Sequence, residues 1–309
     1  MILNTGSRTD IPAFYSEWFY NRIKAGSVMS RNPFYPDQIT RWRLDPDVID
    51  VLVFCTKNPA PMLPRLDELD SFSQFWFVTI TPYGPEIEAA VPPYREVCRS
   101  FRTLSDHVGK RAVAWRYDPI LISEDYPLES HLRIFGNIAA ELDGCTDQIV
   151  ISFIDLYEKT KKNFPEIREV RQSDRLCLGR ELSAIAAAHG MTIRTCLEGT
   201  DLAPYGVDTS GCLTKEVLEH ALGEELRVPA SSLMTREGCR CLLGNDIGAY
   251  NTCRHFCRYC YANYDKQTVI RNAAAHDPES PLLVGHPGPE DTIHDARQVR
   301  YRTGQLRLF

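Results

Sequence analysis

Residues 148–154 read QIVISFI, and the run ends on Asp155-Leu156-Tyr157. It is rich in β-branched and aromatic residues and too short for an ordinary buried helix, so it reads as a strand packed on both faces. Upstream, Leu128–Leu142 carries helical periodicity. Downstream, Asp174–His189 does the same, with Asp174 placed to cap its start and Gly190 its end. A buried strand between two helices is the repeating unit of a parallel sheet.

Working outward, the same alternation recurs. Strand candidates stand at Ile2–Gly6, Ile49–Cys55, Phe75–Thr81, Arg111–Tyr117 and Met191–Cys196. Tyr15–Ala25 is a helix candidate stopped by Gly26, and Pro92–His107 opens on prolines suited to a first helical turn. Six β–α units in succession predict an α/β fold with a parallel sheet, as a partial barrel or a doubly wound sheet. Where the polar residues fall favours the barrel. Five strands run straight into Ser7-Arg8-Thr9-Asp10, Thr56-Lys57-Asn58, Arg116-Tyr117-Asp118, Asp155-Leu156-Tyr157 and Glu198. In a parallel barrel all such ends open on one rim, where substrates bind. The expectation is therefore a partial TIM-barrel-like (β/α)6 core over residues 1–199. Residues 200–309 would form a cysteine-rich iron–sulfur segment and tail packed on its rim, the two making one functional unit. Arg8, Asp10, Lys57, Arg116 and Asp118 are the candidate catalytic residues, lining a pocket for a polar small molecule or nucleotide.

Composition narrows the function classes. The 309 residues carry a net charge of −6, with 43% hydrophobic and 25% charged residues, as in an ordinary globular protein. That charge gives no bulk attraction to nucleic acid, and Arg41-Trp42-Arg43 and the RQVRYRTGQLR stretch ending at Arg307 read as solvated surface. No secretory signal or membrane-length apolar run is present, so a cytoplasmic protein without a membrane partner is expected. His276–Thr292, rich in Pro, Gly and charge, reads as an extended surface segment, and the final RTGQLRLF as either a frayed end or a docking strand.

Eleven cysteines in a reducing compartment point to metal ligation, catalysis or packing rather than disulfides. Five of them, Cys239, Cys241, Cys253, Cys257 and Cys260, crowd into 22 residues. Asp246–Tyr264 reads DIGAYNTCRHFCRYCYANY and contains Cys253-x3-Cys257-x2-Cys260. Thiolates at this spacing can hold three irons of a [4Fe–4S] cubane and leave the fourth open to a small molecule. Within the motif, His255 reads as a solvated loop spacer, Arg254 and Arg258 as offsets to cluster charge or as solvated cations, and Asn251 and Asn263 as ordinary loop residues.

Cys-x3-Cys-x2-Cys with aromatic Tyr259 before the third cysteine resembles the signature of radical-SAM enzymes. The resemblance implies that Cys253, Cys257 and Cys260 ligate the cluster, and that S-adenosylmethionine binds the open iron and is cleaved reductively. It also implies that Tyr259 packs near the adenine, and that an electron donor such as flavodoxin or ferredoxin supplies the electron. The chain from SRTDIPAFY through FCTKNPAPML to DIGAYNTC and YCYAN is also similar to an uncharacterised bacterial family, a domain of unknown function with a radical-SAM-like cysteine cluster at its C-terminus. Because the motif follows all six strand candidates, the C-terminal segment is expected to fold back over the rim.

Cys196, Cys212, Cys239 and Cys241 remain. They could hold a second [4Fe–4S] cluster or structural zinc, or be unliganded thiols. Two other functions stay open. One is an iron–sulfur protein that uses its open iron without radical chemistry or for electron transfer. The other is a zinc-binding interaction module on Cys239, Cys241, Cys257 and Cys260.

Overall fold

The computed structural model describes residues 1–229 and 239–307. In chain order the elements are β1 (Ile2–Asn4), α1 (Ile11–Phe14), α2 (Ser16–Ala25), β2 (Ser27–Arg31), β3 (Gln38–Arg43), β4 (Val51–Thr56), β5 (Gln74–Thr79) and α3 (Tyr94–Val108). They continue as β6 (Val113–Ile120), α4 (Leu128–Glu141), β7 (Gln148–Phe153), α5 (Glu158–Asn163), α6 (Gln172–Ala188) and β8 (Thr192–Thr195). The C-terminal part adds α7 (Lys215–Leu222), β9 (Glu224–Leu226), α8 (Lys266–Ala274), β10 (Thr292–Asp295) and β11 (Arg302–Leu306).

Six strands form one sheet in the order β1-β4-β5-β6-β7-β8, and every neighbouring pair is parallel. The order never reverses, which excludes a doubly wound sheet. Strand side chains alternate between faces, and each face buries its own apolar set. Leu52, Phe54, Trp76, Val78, Trp115, Ile149 and Ile193 pack with Phe19 of α2, Phe101 of α3, Phe135 of α4 and Leu182 of α6. Phe54 and Trp76 stack with ring centroids 4.0 Å apart. Ile2, Val51, Val53, Phe75, Phe77, Ala114 and Val150 point the other way, against Val217 and Leu218 of α7 and against Cys212, Cys239, Cys241 and Leu242. The crossover helices thus share one face, and the C-terminal segment covers the other.

That segment also covers both edges of the sheet. At β8, the Thr195 amide donates to the Asp208 carbonyl at 3.0 Å and the Asp208 amide to the Ile193 carbonyl at 2.9 Å. At β1, the Asn4 amide donates to the Asn245 carbonyl at 2.8 Å and the Ile247 amide to the Asn4 carbonyl at 3.0 Å. These single-residue bridges satisfy backbone groups that an edge strand would otherwise present to another chain.

The six predicted strands are all present, with shifted ends. The β1 ladder stops at Asn4 because Gly6 lies against β4: a Cβ there would sit 2.5 Å from the Cys55 Cβ and 2.6 Å from its carbonyl oxygen. Two expectations for the tail need correction or resolution. Of the extended surface segment expected at 276–292, the part around residues 280–283 is packed into the molecule instead, since Ser280, Leu282 and Leu283 are buried and Trp18 Nε1 donates to the Ser280 carbonyl at 2.8 Å. Within the final RTGQLRLF, of which residues 308–309 lie outside the described residues, Arg302–Leu306 is a docking strand: β11 pairs antiparallel with β9, and Asp50 accepts the Tyr301 amide at 2.6 Å. A second sheet, β10-β3-β2, was not anticipated. No helix among the described residues is long and apolar enough to cross a membrane.

Candidate functional site

All six parallel strands end on the same edge of the sheet, and the polar residues that follow them gather there. Asp10 follows β1 and caps α1, its Oδ1 accepting the Ala13 amide at 3.0 Å. Its Oδ2 accepts the Lys57 amide at 2.7 Å, which ties the loop after β1 to the loop after β4. Lys57 Nζ reaches Glu88 Oε1 at 2.9 Å, and the same oxygen accepts the Thr81 hydroxyl at 2.8 Å and the Tyr259 hydroxyl. Glu88 is 2% exposed, and three donors surround its carboxylate. Burial acts against the Lys57 ammonium, but Glu88 and Cys257 outweigh it and hold its pKa above the ordinary lysine value.

The cysteine motif lies over this group as a pinched loop. The Asn251 amide donates to the Ala262 carbonyl at 3.0 Å and the Tyr264 amide to Asn251 Oδ1 at 2.5 Å, joining the two ends. Asn251 and Phe256 take positive φ, the conformation that bends the chain back on itself. Along its middle the loop is stitched to residues 87–90. Arg258 N–H donates to the Ile87 carbonyl at 2.9 Å, Ala90 N–H to the His255 carbonyl at 3.0 Å, and Cys257 bridges Glu88. Burial is the first cause that pushes the Cys253, Cys257 and Cys260 thiols up, and Cys253 is raised further by charge on both other cysteines. All three cysteines are half-buried.

His255 corrects the sequence reading. It is not a solvated spacer but 2% exposed, with Nε2 2.8 Å from Asp10 Oδ2 and Nδ1 3.1 Å from the Ala90 carbonyl. Asp10 is consequently committed to fixing the cysteine loop and α1. Arg254 packs over Phe14 at 4.8 Å and Arg258 over Phe164 at 4.1 Å while pairing with Glu166 at 2.6 Å, so neither cation is spent on the sulfurs. Asn263 is more than a loop residue. Its Nδ2 donates to the Cys253 carbonyl at 2.8 Å, while its buried Oδ1 has no hydrogen-bond partner. The loop thus sets an unpartnered buried acceptor beside three half-buried thiols.

The other predicted residues divide between two places. Arg8 lies over the Tyr250 ring at 5.6 Å, at the margin of the cysteine loop. Arg116 and Asp118 are on the inner face of β6, paired to each other with Arg116 Nε 3.0 Å from Asp118 Oδ2, and Asp118 also accepts the Ser152 hydroxyl. Tyr259 spends its hydroxyl on Glu88, with its ring 5.7 Å from Lys57 Nζ. Cys196, Cys212 and Cys241 form a separate group: Cys212 Sγ is 3.8 Å from Cys196 Sγ and 3.1 Å from Cys241 Sγ, and Cys239 Sγ accepts the Cys241 amide at 3.4 Å. Among the described residues no group of three or more His, Cys, Asp or Glu side chains is arranged to hold a metal ion. Glu88 and His255, which organise the first group, were missed: both read as ordinary residues until their partners, far away in sequence, are known.

No curated protein matches the chain significantly, and no solved structure does. A family model described as a domain of unknown function, DUF1848, matches residues 2–262, a span that takes in the whole sheet and ends just beyond the third cysteine of the loop. The chain belongs to the DUF1848 family.

Proposed function

We propose that this chain holds a [4Fe–4S] cluster on Cys253, Cys257 and Cys260 and is an enzyme of radical-SAM type, built on a partial TIM-barrel-like (β/α)6 core. The observation that carries the reading is the pinched loop itself: three half-buried thiols, set over the carboxyl edge of a singly wound parallel sheet, with an orphaned acceptor at Asn263. The residues fit such a group by donor type, since soft thiolates select iron–sulfur clusters, and three of them leave one iron for an exogenous ligand. When bound, the cluster would supply one-electron delivery to S-adenosylmethionine for reductive C–S cleavage.

The protein's own contribution is positional and electrostatic. Lys57 places a cation next to Cys257, offsetting negative charge where the sulfurs lose their protons to metal. Glu88 fixes that ammonium and, through the Tyr259 hydroxyl, the backbone just before Cys260. The His255–Asp10 bond holds the near side of the loop against β1. Partly exposed Arg116 and Asp118 are the polar floor on which a small polar substrate or nucleotide would rest. Singly wound strand order and crossover helices confined to one face support the barrel-like reading.

Anaerobic reconstitution tests the proposal. The expected result is a brown protein with about four irons and four sulfides per chain, an electron-paramagnetic signal that shifts on addition of S-adenosylmethionine, and 5′-deoxyadenosine released under dithionite. The same iron content with neither a shift nor 5′-deoxyadenosine would replace the radical reading with that of an iron–sulfur protein of another kind. A zinc ribbon on Cys239, Cys241, Cys257 and Cys260 gains no support from the geometry, because the two pairs keep different company: Cys241 contacts Cys212, and Cys257 lies by Lys57 and Glu88.

A further inference from the structure

The second group of cysteines lies on the inner face of the sheet and comes from three separated stretches: the end of β8, the loop before α7, and the Cys239-x-Cys241 turn. We infer that Cys196, Cys212, Cys239 and Cys241 form a four-thiolate site for a single tetrahedral ion, zinc by ligand type. The inference is independent of the three-cysteine loop.

Spacing decides between one ion and a cluster. Four sulfurs about 2.3 Å from a central zinc lie at the corners of a tetrahedron whose edge is about 3.8 Å. Cys212 Sγ is 3.8 Å from Cys196 Sγ, which matches that edge, and 3.1 Å from Cys241 Sγ, which is shorter than it and would have to open on binding an ion. On a cubane each thiolate takes a different iron at a different corner, so ligand sulfurs stand well apart. The 3.1 Å contact is also much longer than a disulfide bond of about 2.05 Å.

The surroundings treat these sulfurs as acceptors. The Leu213 amide donates to Cys241 Sγ at 3.5 Å and the Cys241 amide to Cys239 Sγ at 3.4 Å, the outer-shell bonds that orient and stabilise metal-bound thiolates. Gly211, at φ +128°, takes a backbone conformation that favours glycine where the chain passes Cys241 in ordinary van der Waals contact. Arg116, over the Phe77 ring at 5.0 Å, brings positive charge that acts on Cys196 and Cys212, as a site of four thiolates on a divalent ion needs. The contacts run in a row from Cys196 through Cys212 to Cys241, and no three of these side chains are arranged to hold an ion, so an ion would have to draw the row closed. Unliganded buried cysteines are common as small apolar residues. Convergence from three stretches, with amides aimed at the sulfur, is not what packing alone requires.

The test separates the two centres. The Cys253→Ser/Cys257→Ser/Cys260→Ser variant of the full chain, expressed in zinc-replete medium, is expected to carry about one zinc per chain and neither iron nor sulfide. Loading that variant with cobalt(II) should give the absorption of a tetrahedral cobalt–thiolate complex, which reports on sulfur ligands without a further substitution that might unfold the chain. Adding Cys212→Ser/Cys241→Ser should abolish both signals. Iron and sulfide retained in the triple variant, absence of zinc together with absence of the cobalt band, or a Cys212–Cys241 disulfide in the native protein by mass spectrometry would each overturn the inference.

Discussion

Gly6 shows how tightly the start of the chain is laid against its neighbour. Backbone atoms of Cys55 lie 2.6 and 2.8 Å from where a Cβ would be, and backbone cannot swing aside as a flexible side chain does. Gly6→Ala should therefore destabilise the protein by about 1–3 kcal/mol, read as a lower urea midpoint with unchanged slope. Lys57 and Glu88 make a different kind of residue-scale constraint. The pair is buried, with Lys57 13% and Glu88 2% exposed at the side chain, so removing one partner strands the other. Lys57→Met is expected to cost about 3–5 kcal/mol, and Lys57→Met/Glu88→Gln to recover much of that loss. If the double variant is no more stable than the single one, the pair is not what Glu88 depends on.

At the scale of elements, β6 and α4 are joined through His131. It is fully buried, Nδ1 is 2.8 Å from the Tyr117 hydroxyl and Nε2 2.8 Å from the Leu121 carbonyl, so the neutral ring donates to Leu121 and accepts from Tyr117. Burial lowers its pKa from 6.5 to about 4, with the Leu121 bond acting weakly the other way. Between those values the unfolded chain binds the proton and the folded one does not, so stability rises with pH across the window and is flat above it. Equilibrium denaturation should show a loss of about 2 kcal/mol from pH 7 to pH 5 traceable to this group, and His131→Gln should flatten that part of the profile.

The elements also show what could be read in advance. QFWFVT and QIVISF were legible as strands because both faces are apolar and nothing but a buried strand suits so short a run. The β2–β3 hairpin was not, since SVMSR and QITRWR are half polar and are held partly by β10, some 250 residues later. The cysteine loop could be found from spacing alone. His255 could not, because its meaning lies in a bond to Asp10 across 245 residues.

On the scale of the whole molecule, Asp208 bridges one open edge of the sheet and Asp246 the other, and between them the described residues Cys212, Val217, Leu218, Leu226, Cys241 and Leu242 pack on the face that the crossover helices leave open. Residues 1–199 taken alone would thus have two naked strand margins and an uncovered apolar floor. A chain ended at residue 199 is expected to self-associate into large species on size-exclusion chromatography and to bind a hydrophobic dye, whereas the full chain elutes as a defined particle. A well-behaved, dye-silent truncation would show that the sheet needs no such belt. If the belt is needed, the ribosome must release the chain through Asp246 before both margins of the sheet are covered, and newly made chains pass through a period in which a chaperone decides whether they mature.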